Sequence, residues 1–254
     1  MLLVGGDSFA QFPNGGYGYR DDEIHDVELP DYHWCQSIDA DAKSVGLGSA
    51  DISASTFLTI SQLSKGDYSH CIFFITSPTR EILNKDLQTI DSYIDCVTDK
   101  NDSLSLENRF RDPRHTIPHN TGSSYIETNS NAIFFQAGGE FNGKEYHKNA
   151  IETTHGPMAI HNKVSNLLAL KHYCDSNKIK LMLVAPFGPD AVNVAISKFY
   201  KLDVFYYMKW VFGSFEDYIA ENGLQVMNLR THHTTKEHDR IFNAFNVQYP
   251  QWMA

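Results

Sequence analysis

Apolar and polar positions alternate along this chain in blocks. Leu2 to Val4 is an apolar run that breaks on Gly5-Gly6 and then meets Asp7 and Ser8. HCIFFITSP, ending at Pro78, and IKLMLVAPFG, ending at Gly188, are longer runs rich in β-branched and aromatic residues. Their length and content predict strands buried on both faces. SVGLG and LQVMNL (residues 224–229) predict two shorter strands. Between these runs the spacing turns helical. DYHWCQSIDADAK predicts a short helix, and Ile52, Phe57, Ile60 and Leu63 form a helical face that Gly66 should stop. Leu83, Leu87, Ile90, Tyr93, Ile94 and Val97 repeat at helical spacing. So do Ile160, Val164, Leu167, Leu168 and Cys174, and a further helix is expected from Trp210 to Glu221. Thr234 and Glu237 form a capping box for a last helix with Ile241, Phe242 and Phe245 turned inward.

Strands alternating with helices predict an α/β fold whose parallel sheet is covered on both faces. In such sheets ligands bind outside the carboxyl ends of the strands. Two segments depart from the pattern. Residues 13–30 are turn-rich and acidic. Residues 99–150 are rich in Asn, Asp, Ser and Gly around one apolar island, AIFFQAGG, and read as an irregular insertion. With no repeat and no second core, the expectation is a single domain over residues 1–254 carrying that insertion.

Composition narrows the choice of partners. The chain has 254 residues, enough to bury a full core without staples. Its net charge of −10 disfavours nucleic acid and anionic membranes, both of which call for a basic patch. No apolar stretch is long enough to span a bilayer. The first residues lack the basic segment of a secretory signal and read better as a strand. Cys35, Cys71, Cys96 and Cys174 are widely spaced and form no CxxC, as expected of buried free thiols. A cytoplasmic site of synthesis fits, and a virion component would look the same.

The chemistry gathers at the expected carboxyl edge of the sheet. A serine on a glycine turn after the first strand projects a hydroxyl there, but a hydroxyl is a poor nucleophile until a base takes its proton. Histidine suits that task at neutral pH. His232 and His233 stand just past the predicted last strand, immediately before the capped helix. Gly48 follows the second predicted strand, where its amide, with that of Ser8, is placed to donate to an oxyanion.

GDSF at residues 6–9, VGLGSAD at residues 45–51 and HHTTKEH at residues 232–238 resemble, in order, the first, second and last blocks of the SGNH (GDSL-type) hydrolases. The resemblance spans nearly the whole chain. It implies a three-layer α/β/α sandwich with a parallel, flavodoxin-like five-stranded sheet. It also implies a cofactor-free serine esterase acting on small acyl esters, O-acetylated carbohydrates among them. Ser8 is then the nucleophile, Gly48 an oxyanion donor, and His233, ahead of His232, the base.

Two departures stand out. The third block normally carries Gly-x-Asn-Asp, but here the strand ends ITSPTRE, leaving Thr76, Ser77, Thr79 or Arg80 as substitute donors. The last block normally reads Asp-x-x-His. Leu229 and Arg230 stand three residues before the two histidines, so Asn228 is the nearest candidate to orient the imidazole. Losing one oxyanion donor costs about 2.7–4 kcal/mol of transition-state stabilisation. Replacing a triad Asp by Asn costs roughly 10⁴ in rate.

Those losses favour a second reading, a non-catalytic carbohydrate-binding or structural module on the same fold. A third is a nucleotide- or phosphate-binding protein using the first glycine turn. The net charge and the lack of a lysine beside that turn speak against it. Asp112, His115 and His119 do not complete a tetrahedral metal set and read as a surface loop. Asp7 is expected to hold the turn, and His238 to face solvent or pack on the last helix.

Overall fold

The computed structural model describes residues 1–12, 31–46, 51–76, 80–84, 126–128, 132–136, 157–186, 191–213, 217 and 233–252. Its main sheet has five strands, all parallel: β1 (Leu2–Gly5), β2 (Lys43–Ser44), β3 (His70–Phe74), β7 (Lys180–Ala185) and β8 (Val204–Tyr206). They lie in the order β2-β1-β3-β7-β8. This is the flavodoxin-like order, and its direction reverses between β1 and β3. Leu3 stands opposite Lys43 on one side and Cys71 on the other.

Side-chain alternation divides the core in two. Leu2, Val4, Ile72, Phe74, Met182, Val184 and Phe205 face one side of the sheet. There they meet Trp34 and Cys35 of α1 (Trp34–Ile38) and Ile241 and Phe245 of a helix spanning Thr235–Gln248. Leu3, Cys71, Phe73, Leu183 and Val204 face the other side. They pack on α2 (Ile52–Leu63), α3 (Pro157–Ser176) and α4 (Ala191–Tyr200). α5 (Tyr207–Val211) follows β8 directly, and Thr235–Gln248 is α6. Every residue of HCIFF is buried, which is why the run is apolar without alternation. Fully burying one such side chain contributes roughly 1.5–3 kcal/mol.

A second, antiparallel sheet comprises β4 (Arg80–Asn84), β5 (Ile126–Thr128) and β6 (Ala132–Gln136), in the order β4-β6-β5. It corrects two expectations. The apolar island is a central strand, so the segment 99–150 is not wholly irregular. Leu83, expected to open a helix, lies in a strand opposite Ile133. Backbone pairing with AIFFQ supplies hydrogen bonds that outweigh the local helical spacing. Residues 85–125 lie outside the described residues.

Other boundaries also moved. The fifth strand is Val204–Tyr206, three residues too short to register as a run, whereas the expected strand at 224–229 lies outside the described residues. α2 stops at Leu63 with Ser64 as its cap, ahead of Gly66. Trp210 lies in a helix that begins at Tyr207 and is capped at Phe212; of residues 214–221, expected to continue it, the structure describes Asp217 alone, in a helix. Cys35, Cys71 and Cys174 are buried free thiols, and Cys96 lies outside the described residues. Among the described residues, no helix is long and apolar enough to cross a membrane.

Candidate functional site

The turn after β1 sits at the edge where the strand order reverses. Gly6 has φ +132°, and a Cβ there would lie 2.5 Å from the Phe74 carbonyl oxygen. A Cβ on Gly5 would lie 2.1 Å from Thr59 Oγ1 of α2. The two glycines therefore let the chain turn directly over β3 and α2. Asp7 closes the turn: its Oδ1 accepts from the Phe9 amide at 3.0 Å and its carbonyl from the Ala10 amide at 3.0 Å. Ser8 opens the short 3-10 helix Ser8–Ala10, and its side chain lies outside the described residues.

Beside this turn lies a group of buried polar side chains on the α1 and α6 face: His33, His233, Glu237 and His238. The segment leading into α1 is tied to α6. The Asp31 amide donates to Thr235 Oγ1 at 3.1 Å, the Tyr32 hydroxyl bonds Asp239, and the Trp34 amide donates to His238 Nδ1 at 3.3 Å. His238 is thus buried rather than facing solvent. Its ring lies 4.9 Å from His33 and 5.7 Å from His233 between centroids.

His33 caps α1. Its Nδ1 accepts from the Cys35 amide at 3.2 Å, and Gln36 returns a bond to the His33 amide. Its Nε2 is 2.8 Å from the Phe9 carbonyl. An Nδ1 that accepts and an Nε2 that donates require the neutral ring. Burial pushes this imidazole down to about 3, against the opposing pull of the Phe9 carbonyl and with help from His233. His33 therefore anchors the residue after Ser8 without carrying charge.

His233 precedes the α6 cap, Thr234. Its ring lies 5.7 Å from Phe9, 5.2 Å from Tyr207 and 6.5 Å, stacked, from Phe212 between centroids. Nε2 is 2.6 Å from the Tyr207 hydroxyl. Nδ1 is 3.7 Å from Glu237 Oε2, an ion-pair approach longer than a hydrogen bond. The same Oε2 accepts from the Thr234 amide at 2.7 Å, and the Glu237 amide donates to Thr234 Oγ1 at 3.4 Å, the expected capping box. Burial alone would raise the Glu237 carboxyl. The His233 ring and the Thr234 amide and hydroxyl outweigh it and hold the carboxyl below its ordinary value.

The structure thus brings the turn carrying Ser8 and Phe9 against His233, as expected for residues converging on one sheet edge. Thr76, just past β3, is buried, and Arg80 begins β4 with its side chain outside the described residues. Gly48, Ser77, Thr79, Asn228 and His232 lie outside the described residues, as do Asp112, His115 and His119. Among the described residues, no group of His, Cys, Asp and Glu is arranged to hold a metal ion. Sequence reasoning missed His33 and Tyr207. The His33–Gln36 spacing was a usable capping signal for the first, whereas Tyr207 carried none. Glu237 was seen only as a cap. Comparison of the chain with protein-family models, with curated proteins and with solved structures finds no match.

Proposed function

We propose that the protein is a serine ester hydrolase of SGNH type acting on small acyl esters, with O-acetylated carbohydrates the first substrates to try. The observation that supports this most is the contact of His233 with Phe9, the residue after Ser8, at the carboxyl edge of a flavodoxin-like sheet. In this reading the Ser8 Oγ–H proton passes to His233 as Oγ bonds the ester carbonyl carbon. The tetrahedral oxyanion is held by the Ser8 amide, with Gly48 and a hydroxyl from Ser77 or Thr79 as further donors. Collapse breaks the bond to the alcohol, which leaves with the proton from His233. Water then repeats the sequence on the acyl-serine and frees the acid. No cofactor enters the scheme.

The test is fluorophosphonate labelling of the folded protein, with the adduct located by mass spectrometry beside Ser8→Ala and His233→Ala. An adduct on Ser8 that both substitutions abolish supports the hydrolase. A second reading, a carbohydrate-binding or structural module on the same fold, draws on the Tyr207 hydroxyl at His233 Nε2 and on the 5% exposure of His233. A base must present that nitrogen to its serine. A folded protein that takes no label, yet binds on a glycan array, would carry this second reading.

A further inference from the structure

We infer that Glu237, four residues after His233 on the first turn of α6, is the carboxylate that orients His233 and stabilises its protonated form. It does so in place of an acid upstream of the histidine. The kinetic part of this inference rests on the hydrolase reading, whereas the placement of the carboxylate does not.

The position three before His233 is Arg230, which has no acceptor to offer an imidazole N–H. Glu237 reaches the ring from the other side, with Oε2 3.7 Å from Nδ1. Its carboxylate is not a loose surface group. It is 4% exposed, and the Thr234 amide fixes the same oxygen at 2.7 Å. A buried, anchored charge acts through less solvent than a surface one and is little screened by salt.

The need for that charge follows from the other neighbours of His233. The N-terminal end of α6 carries a partial positive charge, which opposes an imidazolium beside it. His33, ahead of α1, and His238, on α6, offer imidazoles rather than anions. Tyr207, at the start of α5, offers a hydroxyl at Nε2. Phe212 stacks on the ring, and the Arg240 guanidinium lies over Phe212, 5.8 Å from its centroid, a cation rather than an anion. Asp7 lies in the turn carrying Phe9 and accepts from the Phe9 amide through Oδ1. Glu237 brings a negative charge to this ring. With Nδ1–H turned to Glu237, Nε2 carries no proton and accepts from the Tyr207 hydroxyl, and that hydroxyl must turn aside before Nε2 can act as a general base.

Glu237→Gln separates positioning from capping. The amide oxygen still accepts from the Thr234 amide, so the cap survives, but the charge is gone. We expect α6 to stay folded by circular dichroism, with the Nδ1–H tautomer of His233, read from ring ¹⁵N shifts, no longer dominant. Thr234→Ala should do the reverse, lowering stability while leaving that tautomer dominant. If Ser8 takes the fluorophosphonate label, Glu237→Gln should also lower kcat on p-nitrophenyl acetate at least about tenfold, with KM nearly unchanged. An unaltered His233 tautomer in folded Glu237→Gln overturns the inference. Should that variant fail to fold, the wild-type ring decides: ¹⁵N shifts showing a bare Nδ1 and a protonated Nε2 overturn it, and the opposite tautomer supports it. A changed tautomer without any Ser8 adduct would sink the hydrolase reading and leave Glu237 in place.

Discussion

Phe73 and Phe74 are neighbours in β3, both essentially inaccessible, yet they enter different surroundings. Phe73 packs among Leu3, Leu167, Leu183 and Val192 on the face covered by α2, α3 and α4. The thiol beside it on that face, Cys71, is pushed up by its Cys174 neighbour and by burial. Phe74 points the other way, edge-on to His33 at 5.6 Å and to Trp34 at 6.0 Å. The first face is held by shape and apolar area. The second is held by shape together with buried imidazoles, of which His33 keeps its bonds to the Cys35 amide and the Phe9 carbonyl only as the neutral ring. One sheet therefore carries a side whose stability should ignore pH and a side whose stability should follow it.

The largest effect expected from breaking either side is the loss of a ring. Phe73→Ala and Phe74→Ala should each cost about 3–5 kcal/mol at pH 7 by urea denaturation. The contrast appears on acidification. The cost of Phe73→Ala should be the same at pH 5. That of Phe74→Ala should shrink, because the cavity admits water to His33 and relieves the penalty on its protonated form. Equal pH behaviour of the two variants would dissolve the distinction between the faces.

A smaller effect comes from His33 itself. Its folded value is about 3 against an ordinary 6.5, so between these limits the unfolded chain holds a proton that the folded protein refuses. Stability is then complete above pH 6.5 and falls as the pH drops, by about 2 kcal/mol at pH 5. His33→Asn keeps a capping acceptor and removes the titration. Urea midpoints measured from pH 7 to pH 5 should fall less steeply in that variant than in the parent. The smallest effect concerns the α6 cap: Thr234→Ala should cost about 1 kcal/mol, read in the same denaturation series.

The sheet was legible where burial on both faces left a mark on the sequence. HCIFF and the run ending at Ala185 could not have been uniformly apolar if either face met water. The last helix was legible because Thr234 and Glu237 satisfy its first amides locally. β8 was not, since three residues between helical stretches make no pattern. β4 was misread because its partner, β6, lies some fifty residues away and decides its conformation. In the site, His233 was expected beside the Ser8 turn from a last strand at 224–229 that lies outside the described residues, and the turn and the ring do meet, through Phe9. The roles of His33 and Tyr207 were not legible, because a polar residue's partner is a matter of tertiary contact. His33 looks like any turn residue until the Phe9 carbonyl stands against it. Glu237 announces its local duty to the cap and conceals its nearness to His233.

The bond from the Trp34 amide to His238 joins residues 204 apart in the chain. During synthesis, β1, α1 and β3 emerge long before α6, and the closure entropy of so long a loop must be met before that contact forms. Until then Trp34 and the sheet face beneath it stand open, a surface on which a nascent chain is prone to stick to others or to recruit a chaperone. The face bearing the histidines should therefore mature last. Chains stalled just short of Thr235 should differ from finished ones on this side of the sheet first.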